Sequence, residues 1–433
     1  MRSGRSESGL SFAVKGTTSK VAYCSLSVRC GTRAEGELPQ GTAHFVEHTI
    51  FKGTERFSAS RINSYLDRLG GELNAYTTKE EIVLHATVLR EDIWKAVGLL
   101  LEIATRATFP EHEIETERGV IIDEIISYKD SPSDDIFDTF ESCFFDGSPL
   151  GRLILGTVES VGGITCDHLR TFYRRNFVPA NMALCVVASG DEAAIEKQML
   201  ALAGRYLDGR SQPAMTTAEA PTVIPGPVAT VIPSPVATVI PDCDLVSSRY
   251  FDISEDKNNH EANALLGAEA PSLSSPDSER ITASLLSNIL GGPSSNSLLG
   301  AYLREKHGWV YSIECNYTQF RETGLMTVSL GCEKENLQKC LRAAERILSK
   351  ICAAPLSDSK LKAAKRQLLG QLAISSESGE AQCLSMGKSM LAFGNIMPDS
   401  KARELLEAVS AEDLRRMACR IFAQGKVARL IYT

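Results

Sequence analysis

The chain has 433 residues, of which 43% are apolar, and this is enough to build the cores of two domains. Its formal net charge of −8, without any basic run, argues against a nucleic-acid partner. The twelve scattered cysteines indicate free thiols in a reducing compartment, and no apolar run approaches the ~18 residues of a membrane helix, so we expect a cytoplasmic protein that does not associate with membranes.

The first predicted elements are two strands joined by a turn. Apolar and polar residues alternate through residues 10–14 and again through 21–28, and a polar turn at 16–20 separates the two runs. A loop then leads to a predicted helix that begins after Gly41 and ends near Gly53, since glycine commonly follows the last turn of a helix.

This helix carries the pattern His-x-x-Glu-His at His44, Glu47 and His48. At about 100° per residue, the two imidazoles lie about 40° apart on one face, with the carboxylate of Glu47 beside them. Two histidines four residues apart can bind zinc together, and the carboxylate can accept a proton from a water molecule on the metal. This order is the inverted zincin arrangement. The alternative is a helix whose histidines only cap it or line a core.

A second helix over residues 58–70 is followed by two predicted strands, 72–78 and 82–88. The first of these strands carries Asn74, Ala75, Tyr76 and Thr77. An edge strand beside a metal site could pair with an extended peptide through its free backbone groups. By pattern alone, an ordinary hairpin is the favoured interpretation.

Two amphipathic helices are predicted next, over residues 91–105 and 111–128. In the second of them, Glu117 and Glu124 are seven residues apart and share one face. Glu124 lies in an apolar stretch, residues 120–126, where a buried carboxylate needs a cation as its partner. Zinc could be that cation.

Three segments together resemble the pitrilysin/insulinase family of inverted-zincin peptidases, and most of all its short bacterial members related to the mitochondrial processing peptidase. The segments are residues 41–54, 70–77 and 117–125. Glu124 follows His48 by 76 residues (124 − 48 = 76), where the family has its third ligand. The resemblance implies one zinc ion per chain held by His44, His48 and Glu124, with Glu47 as the catalytic general base and Glu117 as an acidic residue that supports the site.

The domain prediction follows from a change in composition after residue 210. The sequence Thr-Val-Ile-Pro recurs at residues 222, 230 and 238, and such proline-rich chain is typical of a spacer. We therefore predict a catalytic domain over residues 1–210, a linker over 211–245 and a second, non-catalytic domain over 246–433. The predicted fold class is α+β, with two similar domains that each contain a mostly antiparallel sheet flanked by helices. The resemblance implies that the domains enclose a chamber.

In the second half, Arg304 and Tyr311 resemble a family pair that closes over the substrate and binds its carbonyl group. A guanidinium and a phenol both suit the oxyanion of peptide hydrolysis. The alternative, favoured without the family, is a surface ion pair for Arg304 and core packing for Tyr311.

The predicted function is that of a zinc-dependent endopeptidase that cuts extended peptides. The predicted partners are the peptide substrate and a second copy of the chain or a related subunit. Two alternatives are a catalytically silent subunit of the same fold and a protein with structural zinc. Structural zinc sites usually have four protein ligands, whereas the sequence offers three.

Overall fold

The structure of the protein, a computed structural model, describes residues 1–207, 250–423 and 425–433. Its strands form two sheets, one from residues 2–189 and one from residues 252–432, and helices flank both. This mixed architecture confirms the predicted α+β fold class. The predicted linker, residues 211–245 with its repeat, lies outside the described residues.

The first half contains the following elements in chain order: β1 (Arg2–Arg5), β2 (Ser11–Thr17), β3 (Val21–Val28), α1 (Thr42–Thr49), α2 (Ala59–Asp67), β4 (Glu72–Thr77), β5 (Ile82–Leu89), α3 (Ile93–Arg106), α4 (Glu111–Lys129), α5 (Pro132–Phe144), α6 (Val158–Gly162), α7 (Cys166–Asn176), β6 (Met182–Ser189) and α8 (Glu192–Leu207). The second half contains β7 (Asp252–Glu255), β8 (Glu261–Ala270), α9 (Asp277–Gly291), β9 (Ser312–Gln319), β10 (Gly324–Glu333), α10 (Lys334–Ala353), α11 (Asp358–Ser375), α12 (Gly379–Phe393), α13 (Asp399–Ala408), α14 (Ala411–Phe422) and β11 (Ala428–Tyr432).

The first sheet has the strand order β1-β2-β6-β3-β5-β4. Strands β2 and β6 are parallel, and the other neighbours are antiparallel. Helices α3 and α8 cover one face, with an apolar core between helix and sheet. Among the described residues β4 pairs only with β5, so β4 is an edge strand with one open side.

The second sheet has the order β7-β11-β8-β10-β9 and repeats this plan. Its strands β7 and β11 are parallel, and its other neighbours are antiparallel. Helices α10 and α14 pack against its core, as α3 and α8 do in the first half. The edge strand β9 occupies the position that β4 has in the first sheet.

The two halves exchange one helix each. Helix α5 of the first half packs on β8 and β11 of the second sheet, where Phe140 and Phe144 join a shared apolar cluster. Phe140 lies so close to the second sheet that a Cβ atom on Gly267 would be 2.3 Å from its ring. In return, α12 of the second half packs on β2, β3 and β6. There Met386 and Met390 cover the face of the first sheet that α3 and α8 leave free.

Several elements were not predicted from the sequence. Strand β1 has the sequence Arg-Ser-Gly-Arg, which carries no apolar periodicity, and it exists through pairing with β2. Helix α5 and strand β11 were also missed. No described helix has the length and apolar character needed to cross a membrane.

Candidate metal centre

A buried carboxylate from the loop just before α1 fixes the start of this helix. Glu35 is fully buried and accepts hydrogen bonds from the backbone N–H groups of Gly41 and Ala43, both at 3.0 Å. Arg152 donates to the other carboxylate oxygen at 2.9 Å. A carboxyl oxygen therefore lies at the start of the helix, where it satisfies two backbone donors of the first turn. Neither Glu35 nor Arg152 was identified from the sequence.

Two glycines let the loop around residue 155 pack against this helix start. Gly41 has a positive φ of 91°, and a Cβ atom on it would lie 2.7 Å from the carbonyl oxygen of Leu155. Gly156 has a φ of 77°, and its Cβ atom would lie 2.6 Å from the carbonyl oxygen of Gln40. A side chain at either position would force the segments apart. The glycines thus allow the close approach that brings Arg152 to Glu35.

The orientation of His48 is set by a chain of polar contacts from α4. Its Nδ1 atom lies 3.1 Å from Oε2 of Glu117, which is only 6% exposed. Since a carboxylate can only accept, Nδ1 is the donor and Nε2 keeps its lone pair for a metal. Lys52 lies 2.6 Å from the other oxygen of Glu117 and compensates its charge. Lys52 follows His48 by four residues, just after the end of α1, and it was not predicted.

The three predicted ligands come together between α1 and α4. Oε2 of Glu124 lies 3.4 Å from Nε2 of His48 and 3.7 Å from Nε2 of His44, and one donor atom from each residue lies within 4.8 Å of the others. Tetrahedral zinc with bonds of about 2.0–2.2 Å separates its ligand atoms by roughly 3.3–3.5 Å. The spacing and the types of these donors therefore fit a zinc ion.

The argument that Glu124 is a buried carboxylate was wrong. Its side chain is 41% exposed, and the neighbouring Val120 and Ile126 are each 48% exposed. The apolar residues of this stretch do not all face inward, because part of the α4 surface lies open. The buried carboxylate on α4 is Glu117, and Lys52 rather than a metal is its cation partner.

For two of the three donors, the protonation states favoured by the surroundings suit a metal. The third, His48, has a raised pKa, because its contacts with Glu124 and Glu117 outweigh the effect of burial. Burial lowers the pKa of His44 to about 4, and the neighbouring His48 acts in the same direction, while Glu124 opposes both. The pKa of Glu124 is lowered, first by its hydrogen bond with His48. His44 is therefore neutral and Glu124 is charged near neutral pH, as metal ligands must be.

Glu47 lies beside the donors without being one of them. Burial raises the pKa of its carboxyl group above the usual value, and the nearby Thr77 opposes this rise. A carboxylate with a raised pKa is better suited to accept a proton and to return it.

The predicted peptide-binding residues Asn74, Ala75, Tyr76 and Thr77 all lie on the edge strand β4. Helix α1 packs against this strand, so its open side begins next to the metal donors. A hairpin with β5 is present, as the alternative interpretation expected, and it leaves the outer edge of β4 free. The contact of these residues with a peptide remains a prediction.

Arg304 and Tyr311 have their described partners within the second half. Nε of Arg304 donates to Glu305 at 3.0 Å, and the hydroxyl group of Tyr311 donates to Glu333 at 3.2 Å. Tyr311 is 57% exposed, so the alternative of core packing does not hold for it, whereas Arg304 does form an ion pair. None of these described contacts reaches the metal donors, and the substrate role of both residues remains a prediction.

Two family models match the chain. One, described as insulinase (peptidase family M16), matches residues 12–158. The other, described as the peptidase M16 inactive domain, matches residues 163–368. The first contains all the predicted metal donors together with Glu47 and Glu117.

Similar proteins occur in several bacteria. A Streptomyces coelicolor protein named an uncharacterized zinc protease is 29% identical over 391 residues, which are 90% of this chain and 80% of that protein. A Bacillus subtilis protein with the same description is 27% identical over 419 residues, 95% of this chain and 93% of that one. A solved structure of a Helicobacter pylori protease has a TM-score of 0.83 at 17% identity and covers 100% of this chain and 99% of that one, so it shows the shared fold.

Proposed function

Because the chain belongs to the insulinase family of peptidases, family M16, we propose that it is a zinc-dependent endopeptidase that hydrolyses extended peptides. The observation that carries this proposal is the convergence of His44, His48 and Glu124, whose donor atoms lie within 4.8 Å of one another. Glu47 lies beside them on α1, the helix that carries both histidines, and burial raises the pKa of its carboxyl group.

Three donors, rather than four, support a catalytic role for the metal. Structural zinc sites in proteins are usually closed by four ligands, whereas catalytic sites have three and keep one position for water or substrate. In the described part of the chain the cluster contains three donors. A bound zinc ion would supply a Lewis acid that polarises water and the peptide carbonyl group.

The side chains of the protein have separate roles in this proposal. Glu47 accepts the proton of the attacking water and passes it to the nitrogen of the leaving amine. Glu117 and Lys52 hold His48 in the orientation and tautomer that leave Nε2 free. The open edge of β4 pairs with the backbone of the peptide and places one bond beside Glu47. Such pairing requires extended chain, so folded proteins would be poor substrates.

A second candidate is a catalytically silent subunit of the same fold. The model described as inactive matches residues 163–368, which include much of the second half, and the described residues of the second half contain no metal-binding cluster. The first half, however, keeps Glu47 next to the complete donor set. A silent subunit has no use for a proton acceptor at this position, and we therefore favour the peptidase.

The test combines zinc content with peptide turnover of the purified chain. We expect the wild type to bind one zinc ion and to cut unstructured peptides. Glu47→Gln should keep its zinc and lose about 10²–10⁴-fold in turnover, the usual contribution of a general base. Glu37→Gln, at an exposed position before α1, is the matched control and should behave as the wild type. Cleavage by Glu47→Gln at the wild-type rate would remove Glu47 from the mechanism, and a zinc-loaded wild type that cuts no peptide would favour the silent subunit.

A further inference from the structure

A cleft of about 490 Å³ lies between the two halves, and none of the three metal donors lines it. One wall is the turn of residues 78–81, which follows β4, and a second is the end of β9 with its turn, residues 318–321. The last turns of α12, residues 388–393, close it. Both halves therefore build this interdomain cleft.

Several of its charged groups cancel in pairs. Nζ of Lys79 lies 3.1 Å from Glu141 and donates to the carbonyl oxygen of Arg152 at 2.8 Å. Glu80 and Glu322 both contact Nη1 of Arg33, at 2.6 and 2.5 Å. These groups satisfy one another's hydrogen bonds, but they include one more carboxylate than cation.

Two arginines, one from each half, have no such compensation. The guanidinium group of Arg29, after β3, donates to the carbonyl oxygen of Leu391 and forms no ion pair with any described residue. Arg321 has a single described ion pair, a long contact of 3.9 Å with Glu322. Burial lowers the pKa of Arg29, the charges of Arg321 and Arg5 lower it further, and Glu80 opposes them only in part.

The remaining charged groups of the cleft do not neutralise the two arginines. Lys388 of α12 also lines the cleft and forms no ion pair with the described residues. Its charge acts on Glu81, a carboxyl group whose pKa is raised by burial and lowered again by Lys388. Arg29, Arg321 and Lys388 thus face Glu81, and even with the second carboxylate on Arg33 the cleft keeps one more positive than negative charge. A cleft with this balance attracts a negatively charged group.

We propose that the interdomain cleft binds an oxyanion, the carboxylate or phosphate group of a ligand, between Arg29 and Arg321. The planar fork of a guanidinium group can donate two parallel hydrogen bonds to such a group. Leu273 and Phe320 line the same cleft and offer apolar surface to the rest of the ligand. Because the arginines come from different halves, the bound oxyanion bridges them and replaces their repulsion by attraction.

The oxyanion can come from two sources. One is a free small anion. The other is the acidic end of a peptide, because the wall of residues 78–81 continues directly from β4, and this second source rests on the proposed function. Both sources present the same kind of oxyanion, but only in the second is it part of a peptide.

The test is calorimetric titration of the full chain with inorganic phosphate, and of the Glu47→Gln chain with a short peptide that ends in a free carboxylate and with its amidated form. Arg29→Gln and Arg321→Gln should each weaken binding by about tenfold or more, the usual effect of removing a charged hydrogen-bond partner. Arg321 is largely exposed, so its variant should fold even if the loss of the Arg29 contact destabilises the chain. Arg342→Gln, at an exposed position on α10, is the control and should bind as the wild type.

Phosphate binding that depends on both arginines would support the proposal with a free anion as the source. Binding of only the free-acid peptide, with the same dependence, would support it with a peptide as the source. The proposal is overturned if neither ligand binds, or if both variants bind as tightly as the wild type. The zinc content of the same samples and the peptide turnover of the wild-type chain report on the proposed function independently of this result.

Discussion

The affinity for zinc should depend on Glu117, although this residue is not one of the predicted ligands. The carboxylate of Glu117 uses one oxygen for Nδ1 of His48, at 3.1 Å, and the other for Nζ of Lys52, at 2.6 Å. In Glu117→Gln the side chain has one oxygen instead of two. Either His48 or Lys52 then faces an NH₂ group and loses its acceptor.

The expected loss follows from this geometry. A carboxylate that orients a metal-bound histidine contributes about 10–100-fold in metal affinity, or roughly 1.4–2.7 kcal/mol. Lys52→Met should act in the same direction, because it leaves the buried charge of Glu117 without a partner. The two effects share one chain of contacts, so the double variant should lose less than the sum of both.

The measurement is competition for zinc between the full chain and a chelator of known affinity at fixed pH. Glu111→Gln, an exposed residue at the start of the same helix, is the matched control. If Glu117→Gln binds zinc as tightly as this control, the contact with His48 does not support the site and the reasoning fails.

Three further predictions concern stability, measured by urea unfolding of the full chain. Burial raises the pKa of Glu35 to about 7, so the stability that its protonated form contributes is complete below about pH 4.5 and is lost as the pH rises through 7. The wild type should therefore lose up to about 3 kcal/mol more than Glu35→Gln between pH 4.5 and 8, and equal losses would contradict this assignment. Gly41→Ala should destabilise the chain by more than about 1–2 kcal/mol, because it adds a close contact with Leu155 to the cost of a positive φ; wild-type stability would show that the loop yields freely. Phe140→Ala should cost about 3–5 kcal/mol as a buried aromatic side chain is lost, and a loss below 1 kcal/mol would mean that the helix exchange contributes little.

The local part of the metal site could be predicted from the sequence, but most of the residues that support it could not. The spacing of His44, Glu47 and His48 follows from helical geometry alone, so it could be read directly. Glu124 is 76 residues further on and was placed by family resemblance, while the physical argument from its apolar neighbours failed because that surface is open. Lys52 could have been found, since it lies only four residues after His48, just beyond the end of α1.

Other features depend on contacts between distant segments, which a local pattern does not contain. In the sequence Glu35 is an ordinary loop residue, and only the fold brings Arg152 next to it. Helix α12 was not predicted, and the sheet that it covers belongs to the other half of the chain. For the same reason the presence of Arg29 and Arg321 in one cleft has no counterpart in the periodicity of the sequence.

The exchange of α5 and α12 makes the half that carries His44, His48 and Glu124 an incomplete folding unit. A fragment that ended at residue 207 would present the surface around Ala183 and Cys185 to water, because Met386 and Met390 would be missing from it. The second half is therefore needed to cover the first sheet, whether or not it ever touches a peptide. Each half supplies a helix that covers the sheet of the other, and this mutual packing is reason enough for both halves to be kept in one chain.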